Sequence, residues 1–240
     1  MNATQRTRFI APLLLTAVLL ASCGHSSSST KPQADPLAGA PAPSSPANSV
    51  LRYVWAYDHE KLTALNGLLT SDFRFAFAAA DSSISPYPGH AWPLTQELLS
   101  ATHMFSGVDS FPAAQSIALT LDPVLTPLPD ARPGKNPRWH QQIRSAALFD
   151  IVEALPEGSF EQHGPSGYIL FHVVRGDSAV IDSGATAAGF HPDSTRWWID
   201  RIEDQTAGVV PAFRALPTRN ETLGMVKVWY LSPTVTVPRP

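Results

Sequence analysis

The order of periodicities along residues 46–205 predicts an α+β fold, with a curved antiparallel sheet wrapped around N-terminal helices. Three observations predict it. Apolar residues recur at helical spacing from Val50 to Leu69. The period then drops to two at Phe73, Phe75 and Phe77. After one more helical stretch, four extended runs follow in succession up to Gln205.

The first helix is capped by Ser45 with Pro46 at its first position. Its apolar stripe is Val50, Leu51, Val54 and Trp55. Asp58 caps a second short helix that carries Leu62, Leu65, Leu68 and Leu69. The segment DFRFAFA is a half-buried strand. A loop rich in Ser, Pro and Gly follows, in which PYPG and HAWP (residues 86–93) are placed to form a lid. Pro93 restarts a helix with Leu94, Leu98, Ala101 and Phe105 on one face and Gly107 as its stop. SIALTLD is the second strand, and residues 123–138 are a proline-rich loop. Residues 138–155, 167–176 and 195–205 are the third to fifth strands, and HGPSGY (163–168) is a hairpin turn. Beyond residue 205, TLGMVKVWYL (222–231) is an extra strand or a short docked helix. Its Met225, Val226, Val228, Trp229 and Tyr230 are costly to leave exposed, so residues 206–240 are expected to pack back on the domain, with a loose end.

The N-terminus has a different character. Arg6 and Arg8 precede an apolar run from Phe9 to Leu20, the charged and hydrophobic regions of a secretory signal. The run is about a dozen residues, too short to span a hydrocarbon core of roughly 30 Å. It ends in Leu20-Ala21-Ser22-Cys23, and Cys23 is the single cysteine of the chain. This ending resembles the lipobox of bacterial lipoproteins. The resemblance implies cleavage after Ser22, acylation of Cys23 and anchoring in a membrane through two or three lipid chains. By resemblance to Gram-negative lipoproteins, Gly24 in place of an acid implies an anchor in the outer membrane, facing periplasm or exterior. The alternative is an ordinary leader cut near Ser22, with Cys23 an incidental thiol. Residues 23–45 are dominated by Ser, Ala and Pro, and cannot bury enough apolar area to order themselves. They are expected to form a disordered tether spanning roughly 25–30 Å.

Composition narrows the function. Without residues 1–22 the chain keeps 15 basic and 20 acidic residues, a formal charge of −5, which argues against nucleic acid. The 8 histidines are scattered, with no H-x-x-x-H or C-x-x-C spacing, so neither a metal nor a cofactor is expected. G-x-S-x-G is absent, and no Gly-rich phosphate loop occurs.

The paired helices leading into the first strand, VLRYVWAYDHEKLTALNGLLTSDFRF, and the aromatic-rich strand TRWWIDRIED resemble the nuclear-transport-factor-2-like superfamily, which includes ketosteroid isomerase and polyketide-cyclase relatives. The resemblance covers roughly residues 46–205 and implies a bent sheet forming a cone whose mouth is often a ligand pocket. A ketosteroid-isomerase-like enzyme needs a carboxylate base in an apolar cone. Trp198, Asp200 and Ile202 share one face of their strand, and Tyr168, Leu170, His172 and Val174 share one face of theirs. If these faces line the cone, Asp200 is a general base with a raised pKa and His172 its partner. If they line the open face of the sheet, both are solvated or lie at a dimer contact. Trp55, Phe77, His103, Tyr168 and Trp198 are the candidate pocket residues. Three functions follow: a non-catalytic domain binding a small apolar ligand or an envelope partner; an isomerase, cyclase or hydrolase working through Asp200 and His172; or a dimerisation module in which the open sheet face pairs with a second copy.

Overall fold

A computed structural model describes residues 35–83, 91–108, 112–155, 158–176, 193–207, 218–219 and 221–231. The leader, Cys23, residues 23–34 of the expected tether, most of the expected lid and the C-terminal end lie outside the described residues. The chain divides into Met1–Pro36 and Leu37–Pro240, and only Asp35 and Pro36 of the first unit are described.

In the second unit, α1 (Pro46–Asp58) begins as the sequence predicts, with the Ser45 hydroxyl accepting from the Asn48 amide at 3.1 Å. Its buried face overlaps the expected stripe in part, with Val50 in the core and Val54 and Trp55 packed against it. Val50, Tyr53, Ala56 and Tyr57 turn inward, while Leu51 is 43% exposed. Two tyrosines at i and i+4 bring more ring area to one face than Leu51, Val54 and Trp55 bring to the next. Asp58 does not cap α2 (Leu62–Asn66). It ends α1, and its carboxylate accepts from the Leu119 amide at 2.8 Å. Leu68 and Leu69 leave the helix for the sheet, because the Leu68 carbonyl accepts from the Ile199 amide.

The remaining elements are β1 (Leu69–Ala76), a short 3-10 helix (Ala79–Ser83), β2 (Trp92–Pro93), α3 (Leu94–Ser106), β3 (Ala114–Leu121), β4 (Leu128–Pro129), β5 (His140–Ala154), β6 (Phe160–His163), β7 (Ser166–Gly176), β8 (Asp193–Ala207), β9 (Thr218–Arg219) and α4 (Leu223–Leu231). They form the expected α+β cone, a curved sheet wrapped on the N-terminal helices. The strand order is β2-β1-β8-β7-β5-β6-β9, with β3 and β4 on the other edge of β5. The sheet is mixed rather than antiparallel, because β1 runs parallel to β8 and β6 parallel to β9. Strands so far apart in the chain are free of the hairpin constraint that enforces antiparallel pairing.

HGPSGY is not a hairpin turn. Both β6 and β7 pair with the same edge of β5, and the segment is the break between them. Gly167 has φ 143°, and a Cβ there would come within 2.8 Å of Thr206 Cα, so the close approach of β7 to β8 requires glycine. Residues 37–45, expected within the tether, belong to the folded unit. The Pro41 carbonyl accepts from Arg52 at 3.0 Å, and the Pro43 carbonyl accepts from the Trp197 amide at 2.8 Å.

One irregularity decides which side chains enter the cone. The β7–β8 register pairs His172 with Arg201 but Val173 with Ile199, so Asp200 is an extra residue in β8. A bulge of this kind shifts the alternation of faces. Ile199 and Ile202 both pack in the core, whereas Asp200 does not. Of the C-terminal extension, α4 is the docked helix of the two expected forms, and most of its side chains are buried.

Candidate functional site

The floor of the cone is aromatic. Tyr53 and Tyr57 come from α1, Phe75 from β1 and Trp92 from β2, and all are at most 1% exposed. Burial of Trp92 removes it from the expected lid. Into this lining project two charged residues with no exposure at all, Glu97 from the first turn of α3 and Lys227 from the middle of α4. The Lys227 ammonium donates to Glu97 Oε1 and to the Tyr57 hydroxyl, each at 2.5 Å. Tyr57 donates to the same Glu97 oxygen at 3.0 Å, and Trp92 Nε1 donates to Glu97 Oε2 at 3.2 Å. Every contact of the carboxylate is therefore with a donor. Burial pushes the Lys227 ammonium pKa down, and the Glu97 carboxylate opposes that.

α4 is held at both ends. The Leu223, Gly224 and Met225 amides donate to Thr206 Oγ1, Asp204 Oδ2 and Thr222 Oγ1, so side chains satisfy the first orphan donors of the helix. Thr222 also donates to Asp81. Burial raises the Asp204 carboxyl to about 6, against the hydrogen bonds it accepts from Thr206 and Gly224. Gly224 is required here, since a Cβ would stand 2.6 Å from both Asp81 Oδ2 and Phe77 Cδ1. Further along, Ser100 Oγ donates to the Lys227 carbonyl at 2.8 Å, and His103 Nδ1 bonds the Tyr230 carbonyl at 2.7 Å. Beside the helix, buried His163 lies between Glu221 at 2.5 Å and Glu153 at 3.3 Å. Burial opposes its charge, but hydrogen bonds to Glu153 and Glu221 outweigh burial and raise its pKa to about 9.

The two residues expected to be catalytic come together, but outside the cone. Asp200 accepts from Arg132 Nη2 at 2.9 and 3.0 Å and from Lys135 at 3.3 Å. His172 Nδ1 is within 3.2 Å of Asp130, and its Nε2 within 3.4 Å of Glu203. Both belong to an ion cluster on the outer face of the sheet. Asp130, Arg132 and Lys135 of the proline-rich loop cover the cluster, so Asp200 is only 9% exposed. Burial pushes Asp130 up, but hydrogen bonds from Arg132 more than offset it and leave the carboxyl at about 2. Contact with His172, then with Arg201, holds Glu203 at about 2 against burial.

The five candidate pocket residues do not converge. Trp55 stacks on His59 with centroids 4.6 Å apart. Phe77 meets Phe75 and Trp92 edge-on at 5.3 and 5.2 Å, packed against the core. His103 serves α4. Tyr168, 43% exposed, lies under the Arg144 guanidinium at 3.5 Å, and Trp198 lies under Arg196 at 5.0 Å. Among the described residues no cluster of three or more His, Cys, Asp and Glu is arranged to hold a metal.

Both missed residues left a signal. Glu97 sits one turn before Ala101 and two before Phe105 on the apolar stripe of α3, where a carboxylate needs a buried partner. Lys227 is the single charge in the otherwise apolar run 223–231. Nothing in the spacing of these residues joins them across 130 positions.

No family model matches the chain, and no curated protein does. Among solved structures it is similar to Kfla4162 protein from Kribbella flavida, at 12% identity over 67% of this chain and 86% of that one, with a TM-score of 0.45. It is similar also to a conserved protein from Planctomyces limnophilus, at 11% identity over 65% and 89% with a TM-score of 0.40. A third is a ketosteroid isomerase-like protein from Erwinia carotovora atroseptica, at 14% identity over 69% and 94% with a TM-score of 0.38. No chemistry passes from these three to this chain.

Proposed function

We propose that this chain is an envelope protein, lipid-anchored at Cys23, whose nuclear-transport-factor-2-like cone binds its target without transforming it. The observation that carries the reading is the engagement of Glu97 by Lys227, Tyr57 and Trp92. A general base must be free to take a proton from a substrate within hydrogen-bond reach. Glu97 is instead neutralised from within the chain, Asp204 is occupied by the first turn of α4, and Asp200 and His172 are placed behind the sheet. Binding, with α4 seated in the cone, uses the features that remain.

The catalytic alternative is tested with 5-nitrobenzisoxazole, a generic reporter of a base in an apolar site. The wild-type chain is expected to open it no faster than buffer does. Acceleration that disappears in Asp200→Asn or Glu97→Gln overturns the non-catalytic reading. Anchoring is tested separately by intact mass after expression with the native leader in a bacterial host. Cleavage before Cys23 plus acyl chains, absent from Cys23→Ala, is the expected result. An unacylated product cut elsewhere overturns the anchor.

A further inference from the structure

We infer that the interior of the cone is a recognition site for an organic ammonium group, which the chain fills in cis with the side chain of Lys227. The inference rests on the reading of the cone as a binding site and names the class of ligand whose place Lys227 holds. Four contacts define the site. The Lys227 nitrogen is 2.5 Å from Glu97 Oε1 and 2.5 Å from the Tyr57 hydroxyl. It also stands 4.9 Å from the centroid of the Tyr57 ring and 5.0 Å from that of Phe75. A carboxylate with two aromatic rings within about 6 Å is the arrangement by which proteins hold alkylammonium ions.

The surroundings exclude other classes. A guanidinium fork would have to share both Glu97 oxygens with donors already on them, Trp92 Nε1 on Oε2 and Tyr57 on Oε1, whereas an ammonium needs Oε1 alone. An anion would face Glu97 without a counter-charge, and a neutral occupant would leave that carboxylate buried and unpaired. The Tyr53 ring, fully buried, packs beside Tyr57 with centroids 4.8 Å apart. The element that supplies the ammonium is itself seated by side chains at each end, through Asp204, Thr206 and Thr222 at its start and Ser100 and His103 beyond. Lys227 is therefore positioned like a bound ligand, with the helix as its carrier. The class that can replace it is a primary ammonium on a short alkyl stem.

The test uses the full chain carrying Lys227→Ala, which removes three methylenes and the ammonium, the outline of n-propylammonium. That ion is expected to raise the Tm of the variant saturably, by about 2–4 °C at a few times its Kd. Its neutral isostere 1-propanol should leave the Tm unchanged, as should n-propylammonium added to the wild type or to Lys227→Ala/Glu97→Gln. If the variant does not fold alone, the readout is its refolding yield with n-propylammonium against the yield with 1-propanol. An equal response to both probes, or to neither, overturns the inference. Acceleration of benzisoxazole opening by the wild type, with ammonium rescue intact, overturns only the non-catalytic reading of the cone.

Discussion

The inside of the cone and the outer face of the same sheet both hold ionisable side chains, and burial affects the two sets differently. On the outer face, Asp130 and Glu203 stay charged with pKa values of about 2, because Arg132, His172 and Arg201 stand against them. Inside, Asp204 rises to about 6, since its partners are neutral amides and a hydroxyl. Lys227 is pushed down even with Glu97 in contact, because no water remains to share its charge. His163, itself buried, rises to about 9 because two carboxylates outweigh its burial. The difference teaches that the direction of a buried group's shift is set by the balance between its burial and the charge of its partners, and charged partners outweigh burial at Asp130, Glu203 and His163 but not at Lys227.

Breaking the interior pair is the severest test of that contrast. Lys227→Met leaves Glu97 buried against apolar groups and is expected to lose about 3–5 kcal/mol of unfolding free energy. Lys227→Met/Glu97→Gln should recover most of that loss, because no charge is then left unpaired. Urea titration of the four corners of this cycle measures the coupling, and additive losses would contradict a strong pair.

Next in size is the alkaline limb governed by His163. Its pKa in the folded protein lies above its ordinary 6.5, so its contribution is full below pH 6.5 and is lost as pH rises through about 9. The loss is about 3 kcal/mol. His163→Gln should flatten the stability curve over that window, and an unchanged slope would show that the imidazole is not charged in the fold.

The outer face should respond on the acid side and more weakly. Glu203 has a pKa depressed to about 2 from its ordinary 4.5, so its contribution is present above pH 4.5 and lost as pH falls through about 2. With its side chain 30% exposed, water screens the pair, and about 1–2 kcal/mol is expected. Glu203→Gln should remove that acid-side slope, as followed by circular dichroism between pH 5 and pH 2. The smallest effect is expected at Tyr168→Ala, where losing the exposed stack with Arg144 should shift stability by less than about 1 kcal/mol.

Much of the fold was legible in the chain. Ser45-Pro46 marks the start of α1, Gly107 ends α3, and the alternation of Phe73 and Phe75 marks β1, because these signals act over a few residues. The faces were less legible. The expected grouping of Trp198, Asp200 and Ile202 assumes an unbroken period of two, and the extra residue at Asp200 breaks it. A bulge depends on what the neighbouring strand offers, and no local pattern announces it. The extended run of β5 was legible as a strand, but not that one strand would pair with β3, β4, β6 and β7.

By itself the sequence determined the α+β class, the order of the longer helices and strands up to residue 205 and the presence of a lone lysine in an apolar run, all of which are properties of neighbours within a turn or a pleat. Only the tertiary structure decided that this lysine meets Glu97 inside the cone and that Asp200 and His172 lie behind it. The physical reason is one of range. Hydrophobic periodicity says that a side chain is buried, but which charge stands beside it depends on strand register and helix docking across more than a hundred residues.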